Sequence, residues 1–188
     1  MPLQIRRMDV AYRGWSTLYV ATVCDDGGAE FRREVEHHGS AACVLPFDPE
    51  RRVAMLVRQP RPPVIWQGGP QTLLEAPAGM LDDDDGETAA RREAMEETGL
   101  RLTDLIHVGS PWAMPGVSTE RLDLYLAPYA GGDRIGAGGG VAHENESIEV
   151  AEIPLAELGA MAEAGQVEDL KTLALVLALK LRRPELFS

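Results

Sequence analysis

Basic charge is what this chain has least of. Its 18 lysines and arginines stand against 30 aspartates and glutamates, a formal net charge of -12, and only Lys171 and Lys180 are lysines. Binding along a phosphate backbone takes a basic surface, so nucleic acid is excluded as a general partner and a small substrate is expected. Long apolar runs are missing as well. The longest, Leu173 to Leu179, falls well short of the roughly 20 residues that cross a bilayer, so no membrane association is expected. The first nine residues hold no apolar stretch of the signal-peptide kind, which makes the cytoplasm the expected compartment. Cysteine is scarce too. Cys24 and Cys43 stand nineteen positions apart without Cys-x-x-Cys spacing, which argues against zinc and, in a reducing compartment, against a disulfide. Both are expected in the core.

What is present is a chain of 188 residues, 45% hydrophobic, with a mean hydropathy of -0.15, enough for one main globular domain and a small appendage. Residues 3 to 10, 16 to 24 and 30 to 36 read as strands of a small antiparallel unit, with a turn at Asp25-Asp26-Gly27-Gly28. Residues 40 to 47 and 52 to 59 read as strands joined by a Pro-Phe-Asp-Pro turn, and residues 60 to 71, rich in Pro and Gly, as a loop. A helix is expected over residues 87 to 98, stopped by Gly99. Strands follow at residues 107 to 109, 122 to 127 and 147 to 153, with a glycine-rich connector at 131 to 140, then helices at 155 to 164 and 170 to 181. Strands first, one helix inside and helices last imply an α+β layered domain.

The helix at 87 to 98 crowds Glu93, Glu96 and Glu97 within five positions. Like charges three and four apart share one side of a helix and repel by a few tenths of a kcal/mol each. A solvated face would tolerate this; on either reading Glu97 is expected to be exposed and of little weight for stability. Arg91 and Arg92, however, are not spaced to neutralise the whole cluster, and Ala89, Ala90 and Ala94 allow backbone to pack closely. Converging carboxylate oxygens suit a hard divalent ion such as Mg²⁺ or Mn²⁺. The acidic run from Asp82 to Glu87 does not fit a calcium loop, since Leu81 and Arg92 would fall at ligating positions; Asp85 fits a helix N-cap.

Gly79, Asp85, Arg92, Glu93, Ala94, Glu96, Glu97, Gly99 and Leu100 together resemble the Nudix box, G-x5-E-x7-R-E-U-x-E-E-x-G-U with U apolar. Asp85 replaces the first Glu of that pattern and six residues rather than seven separate it from Arg92. Further segments resemble the branch acting on nucleotide sugars: Glu75-Ala76-Pro77-Ala78-Gly79, Arg58-Gln59-Pro60-Arg61, and Met114 to Glu120. Residues 137 to 141, 144 to 150 and 169 to 172, with the shortened box, look more like bacterial GDP-mannose hydrolases than ADP-ribose hydrolases.

The resemblance implies a Nudix fold, an α/β/α sandwich, over residues 39 to 188, with residues 1 to 38 a small antiparallel sheet serving dimerisation. It implies Mg²⁺, with Mn²⁺ as a substitute, held by Glu93, Glu97 and the carbonyl of Ala78, with Glu96 joining through water or a second ion. Glu146 is implied as base or further metal ligand, with Glu144 second. Arg61 is implied to pair with a phosphate, Glu120 and Gly79 to line the substrate site, Arg33 and Glu34 to reach the nucleotide, and Trp15 to stack on its base. The implied reaction is hydrolysis of a nucleotide sugar, GDP-mannose ahead of ADP-ribose, by a homodimer whose sites draw Trp15 or Arg33 from the neighbour. A sensor that binds without cleaving would be expected to lose the box glutamates, and all three are present.

Overall fold

The computed structural model describes residues 2 to 141 and 147 to 188, so Glu144 and Glu146 lie outside the described residues. Two sheets form. Strands β1 (Gln4–Arg13), β2 (Thr17–Cys24) and β3 (Glu30–His37) pair antiparallel in that order. At the β2 to β3 turn, the Asp25 carboxylate accepts from the Ala29 amide at 2.9 Å. In β1 the apolar residues Ile5, Met8 and Val10 break strict alternation. A register shift between Ile5 and Arg7 restores it, setting the three opposite Val23, Ala21 and Tyr19 and so on one face of the sheet.

The larger sheet holds β4 (Ala41–Asp48), β5 (Val53–Gln59), β6 (Leu73–Glu75), β7 (Ala78–Met80), β8 (Ile106–Gly109), β9 (Leu122–Pro128) and β10 (Glu149–Pro154). Its order is β10-β5-β4-β9-β8, with β6 beside β5 and β7 beside β4. All of β4 is buried, as its near-continuous apolar run requires of a strand covered on both faces. Its alternate residues feed two cores. Cys43, Leu45 and Phe47 pack with Leu155, Leu158, Leu175 and Leu179 of helices α3 (Leu155–Glu163) and α4 (Leu170–Arg182). Ala42 and Val44 pack with Ala89, Ala90 and Ala94 of helix α2 (Gly86–Thr98). The result is the expected α/β/α arrangement with a small antiparallel sheet beside it, and among the described residues no helix is long and apolar enough to cross a membrane. Cys24 and Cys43 are buried free thiols.

Several local expectations are corrected. The stretch at 60 to 71 contains a short helix, α1 (Pro62–Trp66), whose proline occupies the first turn, where a missing N–H costs nothing. β6 and β7, three residues each, exist only through pairing to β5 and β4. The Pro-Phe-Asp-Pro segment is mostly strand: Pro46 sits in β4 between the residues that pair with β7 and those that pair with β5, so no ladder bond there needs its N–H. The chain turns after Asp48, whose Oδ1 accepts from the Glu50 and Arg51 amides at 2.9 Å each. A 3-10 turn at Gly131–Asp133 interrupts the connector, and another closes the chain at Pro184–Phe187.

Candidate active site

Helix α2 is fixed at both ends. Asp85 caps its start, Oδ1 accepting from the Thr88 amide at 2.8 Å. Gly99 ends it in the left-handed region at φ +74°, where a Cβ would lie 2.1 Å from the Gly136 carbonyl oxygen. The glycine-rich connector folds back onto this end. The Gly139 and Gly140 amides donate to the carbonyls of Glu97 and Glu96 at 2.8 and 3.0 Å, satisfying acceptors a helix terminus leaves open.

The glutamates between these caps are not a solvated face. Glu97 is 1% exposed and Glu93 8%, which overturns the expectation of an exposed Glu97. Both press on the short strand β7: the Ala78 amide donates to Glu97 Oε2 at 3.3 Å, and a Cβ on Gly79 would sit 2.1 Å from Glu93 Oε1. Arg92 covers more of the cluster than its spacing suggests. It donates to Glu93 Oε1 at 2.6 Å and to the Met80 carbonyl at 2.8 Å, and it lies 3.6 Å from Glu96 and 3.3 Å from Asp84. Glu96 is partly buried beside this arginine.

Among the described residues, no three His, Cys, Asp or Glu side chains already converge as an ion cage. The donor set nevertheless fits a hard divalent ion. Glu93 and Glu97 supply carboxylate oxygens one helical turn apart beside the Ala78–Gly79 backbone, in a cradle that a Cβ at position 79 would fill.

Ala78, Gly79 and Glu93 border a cavity of about 710 Å³ that Trp15, Arg61 and Glu120 also line, whereas Glu96 and Glu97 are not on its lining. Three of its lining residues, Arg61, Asp169 and Lys171, belong to a charge cluster. Glu75, 1% exposed, accepts both arms of the Arg61 fork at 2.8 and 2.9 Å and also contacts Lys171 Nζ. Burial pushes the Glu75 carboxyl up, but Arg61 and Lys171 outweigh it and hold the group below the ordinary range. Lys171 meets Asp169 at 2.9 Å; Asp169 caps α4 through the Thr172 amide, and the Thr172 hydroxyl accepts from the Ala76 amide at 2.7 Å. Arg61, expected to face a phosphate, thus spends its fork on Glu75 and reaches the cavity from that anchored position.

Arg33 and Glu34 are not brought to this cavity. They line a separate one of about 360 Å³ with Trp112, Val117 and Thr119, and the Arg33 guanidinium lies over the Phe31 ring. Trp15 is 80% exposed and stacks on His38, so it is a surface ring at the mouth rather than core. His38 and Lys171 both line the cavity without having been singled out from sequence. Lys171 lies in the segment 169 to 172; His38 had no signal, because two of its three partners, Trp15 and Glu120, come from distant segments.

The family model described as NUDIX domain matches residues 36 to 176. A GDP-mannose pyrophosphatase of Cronobacter sakazakii (strain ATCC BAA-894) is 39% identical over 165 residues, covering 87% of this chain and 85% of the relative. One from Citrobacter koseri (strain ATCC BAA-895 / CDC 4225-83 / SGSC4696) is 37% identical over 147 residues, covering 77% and 75%. The crystal structure of an ADP compounds hydrolase superposes with a TM-score of 0.79 over 98% of this chain and 96% of its own, at 16% identity, a likeness of fold alone.

Proposed function

The chain belongs to the Nudix family, and from that premise we propose that it hydrolyses the diphosphate of a nucleoside diphosphate sugar, GDP-mannose first, giving GMP and mannose 1-phosphate. The observation that carries the reading is Glu93, pressed on Gly79 in the lining of a cavity shared with Arg61 and Lys171, with Glu97 one helical turn on bonded to the Ala78 amide. It puts a carboxylate for a divalent ion and cations for a diphosphate on the lining of one cavity. The curated relatives, named for GDP-mannose, favour that substrate over ADP-ribose.

Glu93, Glu97 and the Ala78 carbonyl would hold Mg²⁺, or Mn²⁺ in its place, with Glu96 joining through water. Such an ion, when bound, neutralises phosphoryl oxygens and lowers the pKa of a water. Arg61 and Lys171 offer N–H donors to the diphosphate, and Glu75 keeps both in place beforehand, which is where electrostatic catalysis gains. Glu120 and Trp15 would meet the sugar and base ends. Glu146, with Glu144 second, is the proposed base that takes the proton from the attacking water.

We also propose a homodimer through the N-terminal sheet, where Arg33 and Glu34, which line a cavity other than this chain's candidate site, would serve the neighbour's. Supporting it, Ile5, Val10 and Tyr12 are each about half or more exposed on the edge strand β1.

The deciding experiment is product analysis with a panel of nucleotide sugars and Mg²⁺. GDP-mannose should be cleaved to GMP and mannose 1-phosphate with kcat/KM at least about tenfold above ADP-ribose, a difference worth ~1.4 kcal/mol of transition-state binding. A preference for ADP-ribose would sink the substrate assignment, and no turnover across the panel would sink the enzyme.

A further inference from the structure

Where the N-terminal sheet meets the loop ahead of β9, one ring holds three neighbours that the reaction chemistry does not explain. His38 Nδ1 lies 2.6 Å from Glu36 Oε1, and His38 Nε2 lies 3.4 Å from Glu120 Oε1. The ring face carries Trp15, with centroids 4.7 Å apart and planes inclined at 27°. The His38 side chain is only 12% exposed, between carboxylates at 24% and 21%. Both Trp15 and Glu120 line the substrate cavity, as does His38 itself.

The anchor beneath the ring is firm. Glu36 Oε2 accepts from the Ser118 hydroxyl at 2.7 Å, the Glu36 amide donates to the Val117 carbonyl at 2.8 Å, and the Thr119 amide donates back to the Glu36 carbonyl at 3.0 Å. Burial pushes the Glu36 carboxyl up, but the bonds from Ser118 and His38 outweigh it, so the group stays ionised and available as an acceptor. Imidazole is the side chain that offers nitrogens at two edges and a flat face besides. Phenylalanine would keep the face alone, and glutamine a single polar end.

We propose that His38 is a positioning residue for the bound nucleotide sugar, fixing the Glu120 carboxylate and the Trp15 ring on the cavity wall so that substrate meets both already ordered. The role rests on the nucleotide-sugar reading above. It acts through Glu120 and Trp15, so its loss falls on binding: side chains that must be immobilised on association cost affinity, and those held in advance do not.

A double-mutant cycle tests it. His38→Phe should raise KM for GDP-mannose roughly tenfold with kcat within about twofold, as loss of ground-state and transition-state binding together demands. In a Glu120→Gln background the same substitution should add less than about twofold to KM, because the partner it positions is already altered. His38→Gln, which keeps one donor, should recover part of the loss, and it takes the place of His38→Phe in the cycle if that variant does not fold. Equal penalties in both backgrounds, or a fall in kcat at unchanged KM, would overturn the proposal. An active wild type with additive penalties sinks His38 alone, whereas a wild type inactive on every nucleotide sugar sinks the substrate reading and this role with it.

Discussion

Gly79 has no room for a methyl group. A Cβ there would lie 2.1 to 2.6 Å from the carboxylate atoms of Glu93, so Gly79→Ala must displace that side chain. If Glu93 holds the ion, affinity for Mn²⁺, followed by titration calorimetry, should fall about 10- to 100-fold, the range seen when the support of a metal ligand is disturbed. Unchanged affinity would remove Glu93 from the ligand set. Glu97→Gln probes the other carboxylate more gently. An amide oxygen can still accept from the Ala78 amide, so the fold should hold, with Tm within a few degrees of wild type, while turnover drops by more than about a hundredfold. Retained turnover would show that the charge at position 97 is dispensable.

Between elements, the Glu75 cluster is a buried polar tie, joining β6, the segment before α1 and the start of α4. Its carboxyl is held below the ordinary value of 4.5, so its contribution to stability is full above that pH and is lost as pH falls through the lower folded value. Glu75→Gln should cost roughly 2 to 3 kcal/mol at pH 7, less than the ~3 to 5 of a wholly buried pair because Arg61 remains 41% exposed. In urea unfolding the gap between wild type and variant should close as pH falls below about 4.5, the ordinary carboxyl value; a gap that stays constant would show that Glu75 is not the ionised member. This cluster also marks what sequence could and could not convey. α2, α3 and α4 were readable because caps such as Asp85, Gly99 and Asp169 and an apolar period are local signals. The box glutamates were readable on α2, but their burial was not, since it depends on β7, a three-residue strand visible only through its pairing with β4. Likewise Arg61 was noticed, yet its partner Glu75 and the meeting of His38 with Glu120 are products of chain topology, with no local pattern to announce them.

At the scale of the whole molecule, the N-terminal sheet is attached to the main one mainly through the end of β3, and it leaves a long edge open. β1 is a ten-residue edge strand, and its register shift gathers Ile5, Met8 and Val10 onto one face while all three remain at least 40% exposed. An edge of this length with apolar residues on it invites pairing unless it is covered, and the arginines on β1 restrict which partner fits rather than closing the edge. A second copy of the chain would bury that face at the cost of no new segment. Ile5→Asp and Val10→Asp, at 64% and 49% exposure, should therefore leave the monomer's stability within about 0.5 kcal/mol, as exposed substitutions do, yet shift sedimentation at low micromolar concentration from dimer to monomer. The activity of that monomer then decides whether the site is shared. Arg33 and Glu34 face a cavity other than their own chain's candidate site, so a monomer should lose most of its kcat/KM for GDP-mannose. A fully active monomer would mean that one chain completes its own site, and a variant that stays dimeric would place the interface elsewhere than β1.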